Sequence, residues 1–167
     1  MYNMDVKPPP PAPGYNARAA MADKRRFELF AQYLRERFPE ARRVYDVAGG
    51  MGRLNQELAK RGFEALTFDV RAKRLHVPFA ERRLTLEEPC ACDLVVGMHP
   101  DGATSVIVAY AARHGVPFSV VPCCSDNGMS YKPWMRHLAA EGAAAGFRME
   151  ETALPMPGRA RVLTGVL

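Results

Sequence analysis

The chain has 167 residues, 48% of them hydrophobic and 25% charged, which excludes a collagenous, coiled-coil or wholly disordered protein and fits one domain with its own core. No apolar run approaches the roughly 20 residues of a membrane span, and the proline-rich start lacks the apolar core of a secretory signal, so a cytoplasmic chain with free thiols is expected. The net charge of +5 is uneven, with 17 Lys/Arg against 10 Asp/Glu in residues 1–83 and 6 against 8 in residues 84–167; the basic half suits nucleic acid or another anion, or a solvated surface.

Residues 1–16 carry Pro8, Pro9, Pro10, Pro11 and Pro13 and read as an extended arm; residues 17–167 read as a single domain. Residues 17–38 form a helix with an apolar stripe of Phe27, Phe30, Ala31, Leu34 and Phe38, closed by Pro39. The charged residues Lys24, Arg25, Arg26, Arg35 and Arg37 take its remaining surface. A strand at 43–47, a glycine cluster, a helix at 54–61 and a strand at 65–70 follow. Residues 71–89 are basic and irregular, with a short strand at 83–86. Residues 93–97 are apolar enough for a strand buried on both faces. A helix at 103–114, a strand at 118–121 and a helix at 131–145 come next. Residues 147–152 and 161–166 form a closing strand pair around the turn at 155–158. The alternation predicts an α/β, Rossmann-like, doubly wound and mainly parallel sheet with an antiparallel C-terminal strand. The helix between the third and fourth strands is missing.

The strongest signal is Val44-Tyr45-Asp46-Val47-Ala48-Gly49-Gly50-Met51-Gly52-Arg53-Leu54, a buried strand entering a glycine turn and then a helix. Glycines admit a ligand close to the backbone, and the helix start offers free N–H groups. Asp69 ends the second strand, where an acid accepts both hydroxyls of a ribose. Together these point to an adenosine-type cofactor. A dinucleotide fingerprint fits at Gly50 and Gly52, but its third glycine falls on Asn55, which argues against a nicotinamide oxidoreductase.

The run from Asp46 to Gly52 resembles motif I of class I S-adenosylmethionine (SAM) methyltransferases, with Ala48 in place of the first glycine. The resemblance covers roughly residues 40–167 and implies SAM as cofactor, with the loop at its methionine part and Asp69 on the ribose. The implied cofactor set is Asp46, Val47, Ala48, Gly49, Gly50, Gly52, Leu54, Asp69, Val70, Arg71, Gly97 and Met98. Met98-His99-Pro100-Asp101 and Pro122-Cys123-Cys124 are similar to a subgroup with a Leu-His motif after strand four and a Pro-Cys-Cys motif after strand five. That subgroup includes glutathione-transferase-C-terminal-like and tRNA (uridine-2′-O-)methyltransferase-like proteins.

Methyl transfer needs a positioned acceptor and sometimes a base, and no metal. The loops after the strands hold the candidates His99, Asp101, Cys123 and Cys124. His99 is either a general base or a loop-shaping group. Asp101 either orients an acceptor or caps the helix near Ala103. Cys123 and Cys124 are read mainly as one buried thiol and one lining the pocket; attack on a pyrimidine ring and a metal site with His99 and a distant cysteine are the other readings. The spacings of Cys90, Cys92, Cys123 and Cys124 do not match zinc sites. Tyr131 and Trp134 either stack on an acceptor or pack in the core. The basic run Arg71, Lys73, Arg74, His76, Arg82 and Arg83 either holds phosphates of an RNA acceptor or is a solvated loop. The methyl acceptor is unknown, with RNA among the candidates. A bare domain leaves its pocket open, which suits a large acceptor, a partner subunit or a second copy. The alternative is a non-catalytic, degenerate SAM-binding module acting through a partner, favoured by Ala48 and Met51.

Overall fold

The computed structural model describes residues 23–71 and 74–167. The proline-rich arm, the first six residues of the predicted N-terminal helix and Lys73 lie outside the described residues. The helices are α1 (Arg25–Arg37), α2 (Arg53–Lys60), α3 (Thr104–His114) and α4 (Tyr131–Ala144). The strands are β1 (Arg43–Val47), β2 (Glu64–Asp69), β3 (Phe79–Glu81), β4 (Leu94–Met98), β5 (Phe118–Val121), β6 (Arg148–Ala153) and β7 (Arg161–Val166). They form one sheet in the order β3-β2-β1-β4-β5-β7-β6. The first five run parallel, and β7 lies antiparallel to both β5 and β6.

Side-chain alternation along the strands sorts the core into two layers. Val44, Leu94, Val96 and Val121 pack under α1 and α2 with Phe30, Leu34, Leu54 and Leu58. Tyr45, Val47, Val95 and Val120 pack on the other face with Ile107, Tyr110, Trp134 and Leu138 of α3 and α4. Both faces of the central strands are therefore covered, as a parallel sheet requires.

Three expectations change. Helix α1 begins at Arg25, because the Asp23 carboxylate accepts the Arg25 N–H (3.0 Å) and turns the chain in. The short third strand is Phe79–Glu81 rather than 83–86; its ladder pairs Thr67 with Phe79 and Asp69 with Glu81, while Arg82 and Arg83 are exposed, Arg83 beside the cavity described below, and Leu84 drops into the core. Arg26 does not join the solvated face of α1; it turns inward, half-buried. No helix occurs between β3 and β4 among the described residues, and none of their helices is long and apolar enough to cross a membrane.

Helix α1 is fastened to the far end of the sheet by polar bonds. The Tyr33 hydroxyl meets Thr164 Oγ1 (2.7 Å), which meets Ser119 Oγ (2.9 Å) across the β5–β7 ladder. Arg37 pairs with Glu150 of β6 (2.7 Å), an ion pair that raises the arginine's proton affinity and lowers the carboxylate's. Removing the hydroxyl in Tyr33→Phe leaves Thr164 bonded to Ser119, so urea denaturation should show a loss of about 1 kcal/mol. A loss several times larger would mean that the bond holds α1 in place by itself.

Candidate functional site

The carboxyl ends of β1, β2 and β4 and the starts of α1, α2 and α3 surround a cavity of about 710 Å³, within the ~300–1,000 Å³ usual for small-molecule sites. The first turn of α2 is made by Gly52, which takes φ +97 and whose N–H donates to the Gly49 carbonyl (3.0 Å), closing the loop. A Cβ at Gly49 would collide with the Asp46 carboxylate. Glycine is therefore required at Gly49 by contact and at Gly52 by backbone sterics.

Asp46 does not face the cavity. Strand alternation turns it under the loop, where it is fully buried. Its Oδ2 accepts the Thr67 hydroxyl (2.8 Å), and Thr67 Oγ1 accepts from Asn55 Nδ2 (3.0 Å). Oδ1 has no partner. Burial pushes the carboxyl up to about 7, with the Thr67 bond opposing and Asp69 adding to the rise. Asp46 thus supports the loop from beneath and does not line the cavity. Asn55 explains the absent third glycine: its side chain donates to the Ala65 carbonyl and Thr67, tying α2 to β2.

Asp69 sits where the sequence places it. Oδ2 accepts the Gly50 N–H (2.8 Å) and Oδ1 accepts the Arg71 N–H (3.0 Å), so one carboxylate fixes both loops that flank it. Each oxygen keeps lone pairs for a further donor. Val70, beside it, is 55% exposed at the cavity mouth, and Phe68 and Leu84 add apolar wall.

Across the cavity, His99 directly follows β4 with φ +47, and Ala48 directly follows β1 with φ +53; they are the two non-glycine residues with positive φ among those described. Both line the cavity, and such backbone strain concentrates at functional sites. His99 Nε2 meets the Arg159 carbonyl (3.0 Å) and so carries the ring hydrogen, leaving Nδ1 bare, buried and without a partner. Burial first, and the nearby Arg26 and Arg159, lower the imidazole to about 4. The ring is neutral at physiological pH and offers a lone pair, but it is a poor proton acceptor. Arg159 also reaches the Cys123 carbonyl and lies over the Tyr131 ring (4.7 Å), so the β6–β7 turn joins the loops after β4 and β5.

Of the predicted residues, Val47, Ala48, Gly49, Gly50, Asp69, Val70, Arg71, Met98, His99 and Asp101 line the cavity; Asp46, Gly52, Leu54, Gly97, Cys123 and Cys124 do not. Leu54 is core, and Gly97 makes room for Ile107 and Pro100, which a Cβ would meet at 2.6 and 2.8 Å. Cys123 is buried and Cys124 exposed, with sulfurs 3.5 Å apart. Burial and the Cys124 contact push the Cys123 thiol up to about 12, which opposes a thiolate nucleophile. Metal-binding clusters are absent among the described residues. Asp101 does not cap α3; Asp126, from the loop after β5, accepts the Ser105 N–H (2.8 Å) there, and Asp101 stays exposed. Trp134 is core, stacked on His137 (5.4 Å), and neither it nor Tyr131 reaches the cavity.

Sequence reasoning missed Arg26 and Phe27 of α1, Arg53 of α2, and Met51 and Leu84 as lining residues. Phe27 was assigned to the core stripe and Arg26 to the solvated face, and nothing local in the sequence marks the turn of α1 that overhangs the sheet.

No family model matches the sequence, and no curated protein matches it. Solved structures match the fold. The sugar N-methyltransferase KedS8 from Streptoalloteichus sp ATCC 53650 aligns with a TM-score of 0.63 at 15% identity, over 99% of this chain and 96% of that one. The chain has the Rossmann-like methyltransferase fold. The magnesium protoporphyrin IX methyltransferase from Synechocystis PCC 6803, solved with bound SAM, gives 0.59 at 15% identity, over 89% and 81%. The 1,6-didemethyltoxoflavin-N1-methyltransferase from Burkholderia thailandensis, solved with S-adenosylhomocysteine, gives 0.57 at 17%, over 96% and 91%. In this methyltransferase fold β7 slots antiparallel between β5 and β6, whereas the dinucleotide-binding fold continues in parallel as 3-2-1-4-5-6.

Two outcomes follow from the loop. An acid whose folded value of about 7 exceeds the ordinary 3.8 keeps a proton that the unfolded chain has released, so it removes stability as pH rises through that window. Asp46→Asn lacks this dependence, and the two proteins' urea stabilities should diverge by on the order of 3 kcal/mol between about pH 5 and pH 8. Gly49→Ala should displace the loop while leaving the sheet intact: far-ultraviolet dichroism is retained, and the Gly50 amide loses its Asp69 bond and its protection from hydrogen exchange.

Proposed function

We propose that residues 17–167 are a minimal SAM-dependent methyltransferase domain that binds SAM in the cavity over the glycine loop. The observation that carries this reading is the Asp69 carboxylate, held at the end of β2 by the Gly50 and Arg71 N–H groups with lone pairs to spare. The same arrangement supports a ribose diol at Asp69. Val70, Phe68 and Leu84 form an apolar wall that suits a purine face. The Gly49–Gly50 backbone lets a ligand approach closely. The unpartnered His99 Nδ1 is a buried polar atom facing this cavity, open to a polar ligand group. Similarity to methyltransferases solved with SAM and S-adenosylhomocysteine adds to this.

Bound there, SAM supplies a methyl carbon made electrophilic by its sulfonium sulfur. The chain's part is to orient donor and acceptor and to keep water out. His99 acts as a hydrogen-bond acceptor through Nδ1, with its ring orientation fixed by the Arg159 carbonyl. Its neutrality means that it orients an acceptor hydrogen and does not by itself remove a strongly held proton. Asp101, exposed at the rim, is a candidate to orient the acceptor. Cys123 and Cys124 shape the loop after β5 from behind.

Calorimetric titration with SAM, S-adenosylhomocysteine and NADH tests the cofactor. The adenosyl ligands should bind in the micromolar range and NADH should not; Asp69→Asn should weaken binding by about tenfold or more, the worth of a charge-assisted hydrogen bond. Binding of NADH alone would replace this reading with an oxidoreductase. Separately, the His99 ring carbons should titrate near 4 in an NMR pH series. A midpoint near the ordinary histidine value would restore His99 as a general base.

A further inference from the structure

Four arginines line the cavity: Arg26 from α1, Arg53 from α2, and Arg71 and Arg83 from the loops after β2 and β3. None of them meets a carboxylate at ion-pair distance among the described residues. Most other arginines do, including two members of the same basic run: Arg74 pairs with Glu81 (3.4 Å) and lies over Phe79, and Arg82 pairs with Glu88. The fold therefore divides a basic stretch that is uniform in sequence. It neutralises Arg74 and Arg82 and leaves Arg71 and Arg83 open at the cavity, where two sequence-distant arginines join them.

The cavity's carboxylates are Asp69, which accepts two backbone N–H groups, and Asp101, which is exposed, so two negative charges face four arginines. His99 is neutral. The lining is cationic in excess, and Arg26 and Arg53 are near enough for the charge of Arg53 to act on Arg26. Arg26 is half-buried, and its Nε is fully buried with no partner. Burial and then the Arg53 charge lower its proton affinity, which Asp23, itself ion-paired to Arg25, offsets only in part. Arg26 is also close enough to His99 for its charge to lower the imidazole's proton affinity. A like-charge pair with a buried unsatisfied donor is costly unless an anion occupies it.

SAM does not supply enough negative charge. It has one carboxylate against an ammonium and a sulfonium, so it is itself a net cation. We propose that Arg26 and Arg53 seat a phosphate group of the methyl acceptor beside His99, and that the protein acts on a phosphorylated molecule. Guanidinium forks match phosphate oxygens, and a phosphate near −2 balances two arginines where a carboxylate balances one. This rests on the methyltransferase reading of the cavity.

The test is calorimetric titration of inorganic pyrophosphate into the full chain, saturated with S-adenosylhomocysteine, for wild type, Arg26→Gln, Arg53→Gln and the control Arg136→Gln on the exposed side of α4. Circular dichroism checks that each variant is folded. Pyrophosphate should bind wild type at or below about 1 mM. Arg26→Gln and Arg53→Gln should each weaken it about tenfold, the worth of one charged hydrogen-bonding partner. Their affinity for S-adenosylhomocysteine should stay within about twofold, and Arg136→Gln should change neither. Displacement of S-adenosylhomocysteine by pyrophosphate would assign the arginines to the cofactor and overturn the proposal. So would equal binding of acetate, indifference to both substitutions, or no pyrophosphate binding to ligand-free and ligand-saturated protein. If S-adenosylhomocysteine itself fails to bind, that counts against the cofactor reading alone, because the pyrophosphate series on ligand-free protein still decides the arginine pair. Competition by glycerol phosphate against a short single-stranded RNA then identifies the source: displacement by RNA at far lower concentration, with a steep salt dependence, assigns a nucleic-acid backbone, and parity assigns a small phosphorylated metabolite.

Discussion

Asp46 is a carboxyl group buried beneath the glycine loop, and the geometry of the cavity depends on it. It occupies the space that a side chain at Gly49 would need. It is reached by Thr67, which is reached by Asn55, so β1, β2 and α2 are joined by one polar chain inside an otherwise apolar layer. Such a chain is stable only when its members keep their partners. Replacing any member with an apolar residue strands the others, which makes the loop's shape a cooperative property of three secondary-structure elements.

Above that support, the cavity has two unlike sides because β1 has two unlike neighbours. On the β2 side, Asp69 closes the loop, and Val70 and Leu84 provide an apolar wall. On the β4 side, His99 and Asp101 offer polar groups beside the start of α3. The turn between β6 and β7 crosses behind the second side, where the Arg159 carbonyl fixes the His99 tautomer. The antiparallel hairpin thereby contributes to the site as well as to the sheet.

The cysteines illustrate how burial decides chemistry. Cys123 and Cys124 are adjacent in sequence and their sulfurs are in contact, yet one is buried and the other faces solvent. Burial, Cys124 and Asp101 all disfavour a thiolate at Cys123, and among the described residues no cation is bonded to its sulfur. Cys92 shows the same effect, its thiol pushed far above the ordinary range mainly by burial. Proximity to a site is not activation.

The alternation of buried strands and capped helices, the glycine loop after β1 and the acid at the end of β2 were all legible in the sequence, because each is a local pattern whose period or turn chemistry allows few alternatives. The chain order of those patterns fixed the sheet type, and Asp69 and the loop residues Val47 to Gly50 fell at the cavity as expected. Strand parity also decided that Asp46 points under the loop, although the motif alone reads it as a ligand contact. What the sequence could not supply were relations between distant segments. Asp126 caps α3 in place of the nearer Asp101, and the carbonyl of Arg159 sets the hydrogen of His99. Arg26, which helical periodicity places in solvent, turns into the cavity that Arg53 also lines. Those choices depend on how α1 and the β6–β7 hairpin dock on the finished sheet, where burial and charge are set by neighbours that linear distance does not reveal.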